Sequence, residues 1–337
     1  MNIRVFLVIF FMTSTLHSEE DFGIVVHGGA GVMSDLSDER QQQIHKKIQE
    51  TVSEAYAVLE MGGSSLDAVE LAVSILEDSP LFNAGRGSVY NSDEIQEMDA
   101  SIMDGKDRLT GAVASVSIVK NPIKLARKVA EETKHILLVG KGAEKFAKDI
   151  GVEIVDRDYF YHEERLKRLL NSKNSASKLN KSSDKIGTVG AVALDRKGNI
   201  AAATSTGGMT NKMPGRVGDS PIIGSGTWAQ NNVCAVSSTG HGEFFIKYQV
   251  AREVCVRIEY LDQSLSDSAE SIISELNDLE ASGGLIAIDH KGNISTPFNT
   301  KGMIRGSRTN KTNLKYLNLT NCSGFAGISY FEQKKGP

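Results

Sequence analysis

The stretch Ile186-Gly187-Thr188-Val189-Gly190-Ala191-Val192-Ala193-Leu194 marks the sharpest change of character in this 337-residue sequence. Before it, residues 171–185 read NSKNSASKLNKSSDK, with Leu179 as the single large apolar residue. Such a segment buries too little surface to offset the entropy of ordering it, so we expect it to be mobile. After it, two apolar runs flank the turn Asp195-Arg196-Lys197-Gly198-Asn199, which predicts a buried hairpin that begins at Thr188.

Outside this stretch, strand-like and helix-like patterns occur in separate blocks. Ser64 and Asp67 fit the first turn of a helix, where a serine side chain accepts a backbone N–H. Blocks of this kind favour an α+β protein, with sheets packed face to face and helices outside, over a doubly wound parallel sheet. The pattern predicts strands at 23–27, 102–103, 112–119 and 136–139 (short and buried), and helices over 44–59, 66–76, from 122, over 243–261 and over 267–280.

The composition is that of a globular protein and excludes one class of partner. Hydrophobic residues make up 40% of the chain and charged residues 24%, which fits one large domain or two small ones. The formal net charge of -4 and the lack of a known motif predict that the protein does not bind nucleic acid. Cys234, Cys255 and Cys322 are odd in number and widely spaced, so the sequence does not indicate a disulfide framework.

Residues 1–18 have the layout of a secretory signal peptide. Arg4 supplies a positive charge, Val5 to Met12 is an unbroken apolar run, and small and polar residues lead to a cleavage position after Ser18. This pattern predicts an exported protein, periplasmic or secreted. The alternatives are a first buried strand or a membrane anchor, but the apolar run is too short to span a bilayer, so we expect no membrane association.

Thr188 has the features of a nucleophile that supplies its own base. Cleavage of the Gly187–Thr188 bond would place a hydroxyl and a free α-amine on one residue. An α-amine has a pKa near 8 and accepts a proton near neutral pH, which activates a weak oxygen nucleophile. Gly187 lacks a side chain, so the bond can be held in a strained conformation open to attack. The alternative is an ordinary threonine at the start of a strand.

Three further stretches carry chemistry-bearing groups. Thr204 to Thr210 ends the hairpin with hydroxyls that we expect to be exposed. Arg216 and Asp219 lie in a glycine-interrupted loop, and such a pair suits the α-carboxylate and α-ammonium of an amino acid, although a plain surface ion pair is the alternative. Ser237 to Glu243 connects a strand to a helix, where backbone N–H groups can stabilise an oxyanion.

These stretches resemble the isoaspartyl peptidase/L-asparaginase family, also called plant-type asparaginases, within the N-terminal-nucleophile hydrolases. The resemblance covers roughly residues 22–306 in consistent order, and the blocks together are far more specific than any single glycine motif. The matching blocks are His27 to Gly31, Phe82 to Val89, Glu97 to Gly105, Gly187 to Ala193, Ala201 to Thr210, Gly215 to Pro221 and Ser238 to Gly240.

The resemblance implies a role for each matching site residue. Thr188 is implied as the nucleophile, freed by self-cleavage after Gly187, and Thr206 as the threonine whose hydroxyl bonds and tunes it. Arg216 is implied as the anchor of the substrate α-carboxylate and Asp219 as the anchor of its α-amino group. The other implied site residues are the oxyanion-hole pair Thr239 and Gly240 and the site-lining Asn83.

The resemblance also implies the architecture, which is a four-layer αββα sandwich assembled from two α and two β chains. No redox cofactor or catalytic metal is implied. Combined with the residue pattern, it predicts four segments. These are a signal peptide over 1–18, an α subunit over 19–187 whose linker covers about 171–185, a β subunit over 188–306, and an unassigned C-terminal tail over 307–337.

A structural sodium ion is the one cofactor that the resemblance implies. The loop between Leu76 and Arg86 is similar to one that binds sodium through backbone carbonyls. Carbonyl ligation depends on the shape of a loop more than on its side chains, so the sequence alone does not test this site. The implied ligands are the carbonyl oxygens of Leu76, Glu77, Ser79, Phe82, Ala84 and Arg86.

Two other functions remain open from the sequence. A glycosylasparaginase shares the fold and the Arg216/Asp219 pair, but a glycine precedes Thr188 here, where that enzyme usually has an aspartate. A secreted binding protein without catalysis is the alternative from another class, although binding alone does not need the nucleophile. We expect His27 to be structural, and His241 either to lie near the site or to pack at a helix start.

Overall fold

The computed structural model describes residues 20–31, 36–174 and 187–316. The strands are β1 (Gly23–Gly31), β2 (Met98–Asp104), β3 (Thr110–Val116), β4 (Leu137–Val139), β5 (Val189–Leu194), β6 (Ile200–Thr206), β7 (Thr227–Gln230), β8 (Cys234–Gly240), β9 (Gly283–Asp289), β10 (Ile294–Ser295), β11 (Gly302–Thr309) and β12 (Thr312–Tyr316). The helices are α1 (Asp38–Glu60), α2 (Ser65–Glu77), α3 (Pro122–Glu132), α4 (Gly140–Asp149), α5 (Glu163–Asn174), α6 (Gly242–Tyr248), α7 (Val250–Leu261) and α8 (Leu265–Asp278).

Two sheets form the centre of the molecule. The large sheet has eight strands in the order β12-β11-β1-β5-β6-β2-β3-β4, and the small sheet has four in the order β10-β9-β8-β7. Every pairing within them is antiparallel except that of β3 with β4. Strands β1, β5 and β6 of the large sheet pack against β8 and β9 of the small sheet.

Helices cover the outer face of each sheet. Helices α1, α2 and α3 pack on the large sheet, and α7 and α8 pack on the small one. Helix α2 begins where the sequence predicts, because the Ser64 side chain accepts the Asp67 N–H at 3.1 Å. The α+β class and the four-layer αββα sandwich are confirmed. Among the described residues, no helix combines the length and the apolar character needed to cross a membrane.

Two local predictions were wrong. The strand expected at 136–139 exists, but β4 is the edge strand of the large sheet, and Leu137 and Val139 are 39% and 56% exposed. An edge strand lacks a neighbour on one side, which its apolar sequence alone does not reveal. The single helix expected over 243–261 is divided into α6 and α7, because Gln249 adopts a left-handed conformation with φ of 50°.

The structure also corrects the interpretation of the cysteines. Cys234 of β8 and Cys255 of α7 form a disulfide, with their Cα atoms 5.6 Å apart, although the sequence did not indicate one. The two residues are 21 positions apart, and only the packing of α7 against β8 brings them together. Cys322 lies outside the described residues.

Three of the predicted segments lie partly or wholly outside the described residues. The signal peptide of residues 1–18 is one of them. Of the predicted linker, residues 171–174 belong to α5, and the remainder lies outside the described residues. Of the tail that began at Ser307, the residues up to Tyr316 complete β11 and form β12, so the large sheet extends beyond the predicted end of the β subunit.

Candidate active site

Thr188 and Thr206 meet at one end of the pair formed by β5 and β6. Val189 pairs with Ser205, which places the preceding Thr188 beside the following Thr206. The Thr188 hydroxyl donates a hydrogen bond to Thr206 Oγ1 at 3.1 Å, and Thr206 Oγ1 also accepts the Gly208 N–H at 3.0 Å. Both side chains are buried. The threonine pair that the sequence singled out is therefore assembled and oriented by the register of two strands.

The Gly187–Thr188 bond lies between β1 of the large sheet and β8 of the small one. Gly29 has φ of +104°, and a Cβ at that position would come within 2.4 Å of the Gly187 backbone nitrogen. On the other side, a Cβ on Gly187 would lie 3.3 Å from Thr239 Oγ1, which also accepts the Ala30 N–H at 3.4 Å. The main chain at Gly187 thus fits a narrow gap, with a threonine hydroxyl beside it.

Thr239 and Gly240 end β8 next to this gap, as an oxyanion-binding pair requires. A Cβ on Gly240 would come within 2.6 Å of the Ser282 carbonyl oxygen, so glycine is needed for the close approach of β9. The pair can therefore present a hydroxyl and a backbone amide to a developing negative charge.

Arg216 and Asp219 lie together, but they do not form the plain ion pair that was the alternative from the sequence. A Cβ on Gly242 would lie 2.9 Å from Arg216 Nη2 and 3.0 Å from Asp219 Oδ1, so both groups approach the start of α6. The ion pair of Arg216 is with Glu243, at 2.9 Å, and not with Asp219. Glu243 follows Gly242 in the sequence, and the sequence interpretation gave it no role.

Burial controls the charge of the acidic group in this cluster. Burial raises the pKa of Asp219 to about 7, the nearby Arg216 guanidinium opposes the shift, and the like charges of Glu243 and Asp99 add to it. Asp219 Oδ2 has no hydrogen-bond partner within the described part of the chain. A buried carboxyl with an unpaired oxygen can gain a partner when an ammonium group binds.

Asp99 and Lys212 are buried charged residues that the sequence interpretation missed. Asp99 pairs with Thr206 across β2 and β6, so both side chains lie on the face that meets the small sheet. Burial raises the pKa of Asp99, and Lys212 opposes this shift. Lys212 donates a hydrogen bond to the Glu97 carbonyl at 2.8 Å. The acidic residue in a strand pattern, where charge is depleted, was the available signal.

Asn83 secures the loop that follows Thr206. Its side-chain amide donates to the Gly208 carbonyl at 2.7 Å, and its Oδ1 accepts the Val89 N–H at 2.9 Å. A Cβ on Gly207 would come within 2.5 Å of Asn83 Oδ1, so the two residues are in close contact. Asn83 is therefore beside the site as implied, and its side chain is used to hold residues 207 and 208.

A row of hydroxyl groups lies behind the threonine pair, between the two sheets. Thr204 Oγ1 is 2.7 Å from Ser237 Oγ, and Ser237 Oγ is 3.0 Å from His27 Nε2. Burial lowers the pKa of His27 to about 3, with a contact to the Thr188 backbone acting against the shift. His27 is therefore neutral near pH 7, and it lies among the hydroxyl groups between the two sheets. The expectation that the hydroxyls from Thr204 onward are exposed was wrong for Thr204, Ser205 and Thr206, which are buried.

Two glycines of the loop implied to bind sodium lie directly against main-chain carbonyls. A Cβ on Gly85 would come within 2.4 Å of the Glu77 carbonyl oxygen, and a Cβ on Gly87 within 2.0 Å of the Phe82 carbonyl oxygen. These contacts explain why glycine is required at both positions. The Glu77 carboxyl group accepts the Ser205 hydroxyl at 2.6 Å, which connects this loop to the residue before Thr206.

His241 precedes α6 and packs at the start of the helix. Its Nδ1 accepts the Ser282 N–H at 3.4 Å, and its ring lies 6.3 Å from that of Phe244. Of the two alternatives that the sequence left open, the contacts favour packing at the helix start.

Comparison with known proteins agrees with this geometry. A sequence profile described as Asparaginase matches residues 20–318. The isoaspartyl peptidase of Escherichia coli (strain K12) is 47% identical over 292 residues, which cover 84% of this chain and 91% of the relative. The isoaspartyl peptidase/L-asparaginase of Homo sapiens is 45% identical over 282 residues, which cover 83% and 91%. With a match that includes both sheets and every site residue described above, the chain belongs to the isoaspartyl peptidase/L-asparaginase family of N-terminal-nucleophile amidohydrolases.

Proposed function

We propose that this protein is a self-processing amidohydrolase that releases aspartate from L-asparagine and from β-aspartyl (isoaspartyl) dipeptides. The observation that carries the proposal is the hydrogen bond of 3.1 Å between the Thr188 and Thr206 hydroxyls. Thr188 directly follows Gly187, whose main chain lies beside Thr239. The relatives whose names include isoaspartyl peptidase or L-asparaginase support this substrate class.

Processing at the Gly187–Thr188 bond prepares the nucleophile. Cleavage frees the Thr188 α-amine, which then lies on the same residue as the hydroxyl that it activates. The absence of side chains at Gly29 and Gly187 supports this step, because it lets the bond fit closely between β1 and Thr239 of β8. The processed protein then contains an α chain that ends at Gly187 and a β chain that begins at Thr188.

Catalysis follows in two acyl-transfer steps. The Thr188 hydroxyl attacks the β-carbonyl carbon of the substrate, and its α-amine takes the hydroxyl proton. Thr239 and Gly240 stabilise the oxyanion, and ammonia or the amine of the next residue leaves with the proton. Water then hydrolyses the β-aspartyl-threonine ester, and aspartate is released. Arg216 binds the α-carboxylate and Asp219 the α-ammonium group throughout.

We further propose the assembly, the cation and the location. Two α and two β chains form the mature protein, and sodium bound by the carbonyls of the loop from Leu76 to Arg86 holds that loop in shape. The signal-like residues 1–18 support export. The disulfide between Cys234 and Cys255 is consistent with it, because disulfides persist in oxidising compartments.

Denaturing electrophoresis with N-terminal sequencing tests the proposal, combined with turnover of asparagine, a β-aspartyl dipeptide and a glycosylated asparagine. We expect two fragments, one starting at Thr188, and turnover of the first two substrates. Preferred turnover of the glycosylated substrate would indicate a glycosylasparaginase. A lasting single band without hydrolysis would indicate a binding protein and contradict the proposal.

Two substitutions separate processing from substrate binding. Thr188→Ala removes the nucleophile, so we expect neither processing nor hydrolysis. Arg216→Ala removes the carboxylate anchor and leaves the Thr188–Thr206 pair in place, so we expect normal processing. The KM should rise at least about tenfold, because the substrate loses a charge-assisted hydrogen bond. A Thr188→Ala protein that matures, or an Arg216→Ala protein that saturates normally, would contradict the assigned role.

A further inference from the structure

The pair formed by Arg216 and Glu243 is the best-defined ionic contact at the site. Arg216 Nε donates to Glu243 Oε1 at 3.0 Å, and Nη2 donates to Oε2 at 3.0 Å. Two parallel bonds of this kind fix the plane of a guanidinium as well as its position. The side chain of Arg216 is 17% exposed, whereas that of Glu243 is 54% exposed. The carboxylate therefore approaches the guanidinium from the solvent side.

Glu243 occupies one edge of the guanidinium and leaves another edge open. A guanidinium carries five N–H groups, enough for two carboxylates on different edges. Glu243 uses the edge formed by Nε and Nη2, and Nη1 has no hydrogen-bond acceptor among the residues that the structure describes. Arg257 shows that both edges can be used, because it binds Glu253 through Nε and Glu275 through Nη1 and Nη2.

Two glycines fix the guanidinium from the sides. A Cβ on Gly218 would come within 2.9 Å of Arg216 Nη1, and a Cβ on Gly242 within 2.9 Å of Nη2. The same position on Gly242 would be 3.0 Å from Asp219 Oδ1. Nη2 belongs both to the edge that Glu243 occupies and to the edge that it shares with Nη1, so the second edge has one nitrogen near the carboxylate proposed to bind the α-ammonium group, as the two ends of one amino acid require.

We propose that Glu243 is a positioning residue for substrate recognition, which holds Arg216 by one edge so that the other edge receives the α-carboxylate of the substrate. Burial alone would raise the pKa of Glu243, but the charge of Arg216 and the hydrogen bonds to the carboxylate outweigh burial and the net shift is downward, so Glu243 stays ionised at neutral pH. This inference rests on the proposed function, since it assigns a further residue to the same amino-acid site.

A competing role for Glu243 predicts the opposite result. If its carboxylate occupied the edge that the substrate needs, the substrate would have to displace it, and removal of Glu243 would strengthen binding. If Glu243 positions Arg216, removal leaves a guanidinium that is free to rotate, and binding weakens. The sign of the change in KM therefore distinguishes the two.

The test compares Glu243→Ala and Glu243→Gln with Glu275→Ala. Glu275 is a matched control because it pairs with Arg257 through two hydrogen bonds of 2.8 and 2.9 Å, between α8 and α7. The Glu275 side chain is 58% exposed and that of Arg257 is 14% exposed, much as in the pair at the site. For Glu243→Ala we expect the KM for asparagine to rise about tenfold, which corresponds to a loss of about 1.4 kcal/mol of binding free energy, with little change in kcat. Glu243→Gln keeps one acceptor, so its KM should lie between those of Glu243→Ala and the unsubstituted protein.

Processing and aspartate binding complete the experiment. All three variants should show the two-fragment pattern, because Glu243 does not contact Thr188 within the part of the chain that the structure describes. A KM for Glu243→Ala that falls or stays unchanged, or an equal rise in Glu275→Ala, overturns the proposal. If the unsubstituted protein turns over none of the substrates, the proposed function fails. Calorimetry with aspartate then still tests the role of Glu243. That role is overturned if the unsubstituted protein and Glu243→Ala bind aspartate with equal affinity, or if neither binds it.

Discussion

The two faces of the large sheet differ in chemistry although they share the same strands. On the outer face of β6, Ala201 and Ala203 join an apolar core with helices α1, α2 and α3. On the inner face of the same strand, Thr204 and Thr206 carry hydroxyls that bond to the small sheet and to Thr188. Successive residues of a strand point to opposite faces, so a single strand serves both purposes.

This difference shows how the protein separates stability from chemistry. The outer face consists mainly of apolar contacts with helices, which stabilise the fold without specifying a reaction. The inner face buries hydroxyl groups that must be hydrogen-bonded, and such contacts fix orientation. A change on the inner face should therefore alter processing or turnover, and a similar change in the outer layer should alter stability alone.

The largest effect is expected from a methyl group added at Gly29. Gly29→Ala combines a φ of +104° with a contact of 2.4 Å to the Gly187 nitrogen. Strain and overpacking together should slow processing about a thousandfold, equivalent to about 4 kcal/mol. Gly62→Ala is the control in the outer layer, because it has φ of +86° but no atom within 4 Å of its Cβ. Time-resolved electrophoresis measures both, and equal processing rates would contradict the comparison.

A smaller effect is expected from adjacent residues on opposite faces of β6. Thr206→Val removes the acceptor of the Thr188 hydroxyl, so we expect kcat to fall about a hundredfold. Ser205→Ala removes one of the donors to Glu77, which keeps the Ile123 N–H, so it should lower the free energy of unfolding by about 1–3 kcal/mol with kcat nearly unchanged. Steady-state kinetics and denaturant unfolding give the two quantities. Similar kinetics for both variants would show that strand alternation does not separate the roles.

The smallest effect concerns pH and the inner charge cluster. With a pKa raised to about 7 by burial, Asp219 is neutral below that pH and cannot pair with an ammonium group. Affinity for aspartate should therefore fall up to about tenfold for each pH unit below 7, since aspartate keeps its own charges between about pH 5 and 8. The groups that act on Asp219 are Arg216, Glu243 and Asp99. Calorimetry that gives a constant affinity across this range would refute the assignment.

The sequence predicts what depends on local pattern or on a specific family motif. The apolar spacing of α1 and α2 and the Ser64 cap of α2 are encoded within a few turns, and the structure confirms both helices. The structure likewise brings Thr188, Thr206 and Thr239 together near Gly187. It was the motif, and not the spacing, that identified these residues as one site.

What the sequence did not reveal depends on contacts between distant residues. Arg216 and Glu243 are 27 positions apart, and only the approach of α6 to the preceding loop pairs them. The disulfide of Cys234 and Cys255 likewise needs α7 to pack on β8. The exposure of Leu137 depends on which strand ends the sheet, which no local pattern states.

The order of strands in the large sheet determines how two fragments divided at Gly187 would share the fold. Strand β1 comes from before Gly187, and both of its neighbours, β5 and β11, come from after it. Likewise β2 is joined to β6 across the same division. A break at Gly187 would thus produce two polypeptides whose strands are interleaved in one sheet. The two would unfold together, and neither contains a complete sheet on which to fold. The proposed synthesis as one precursor would bring these strands together before cleavage, so halves expressed from separate genes should aggregate through their open strand edges instead of assembling.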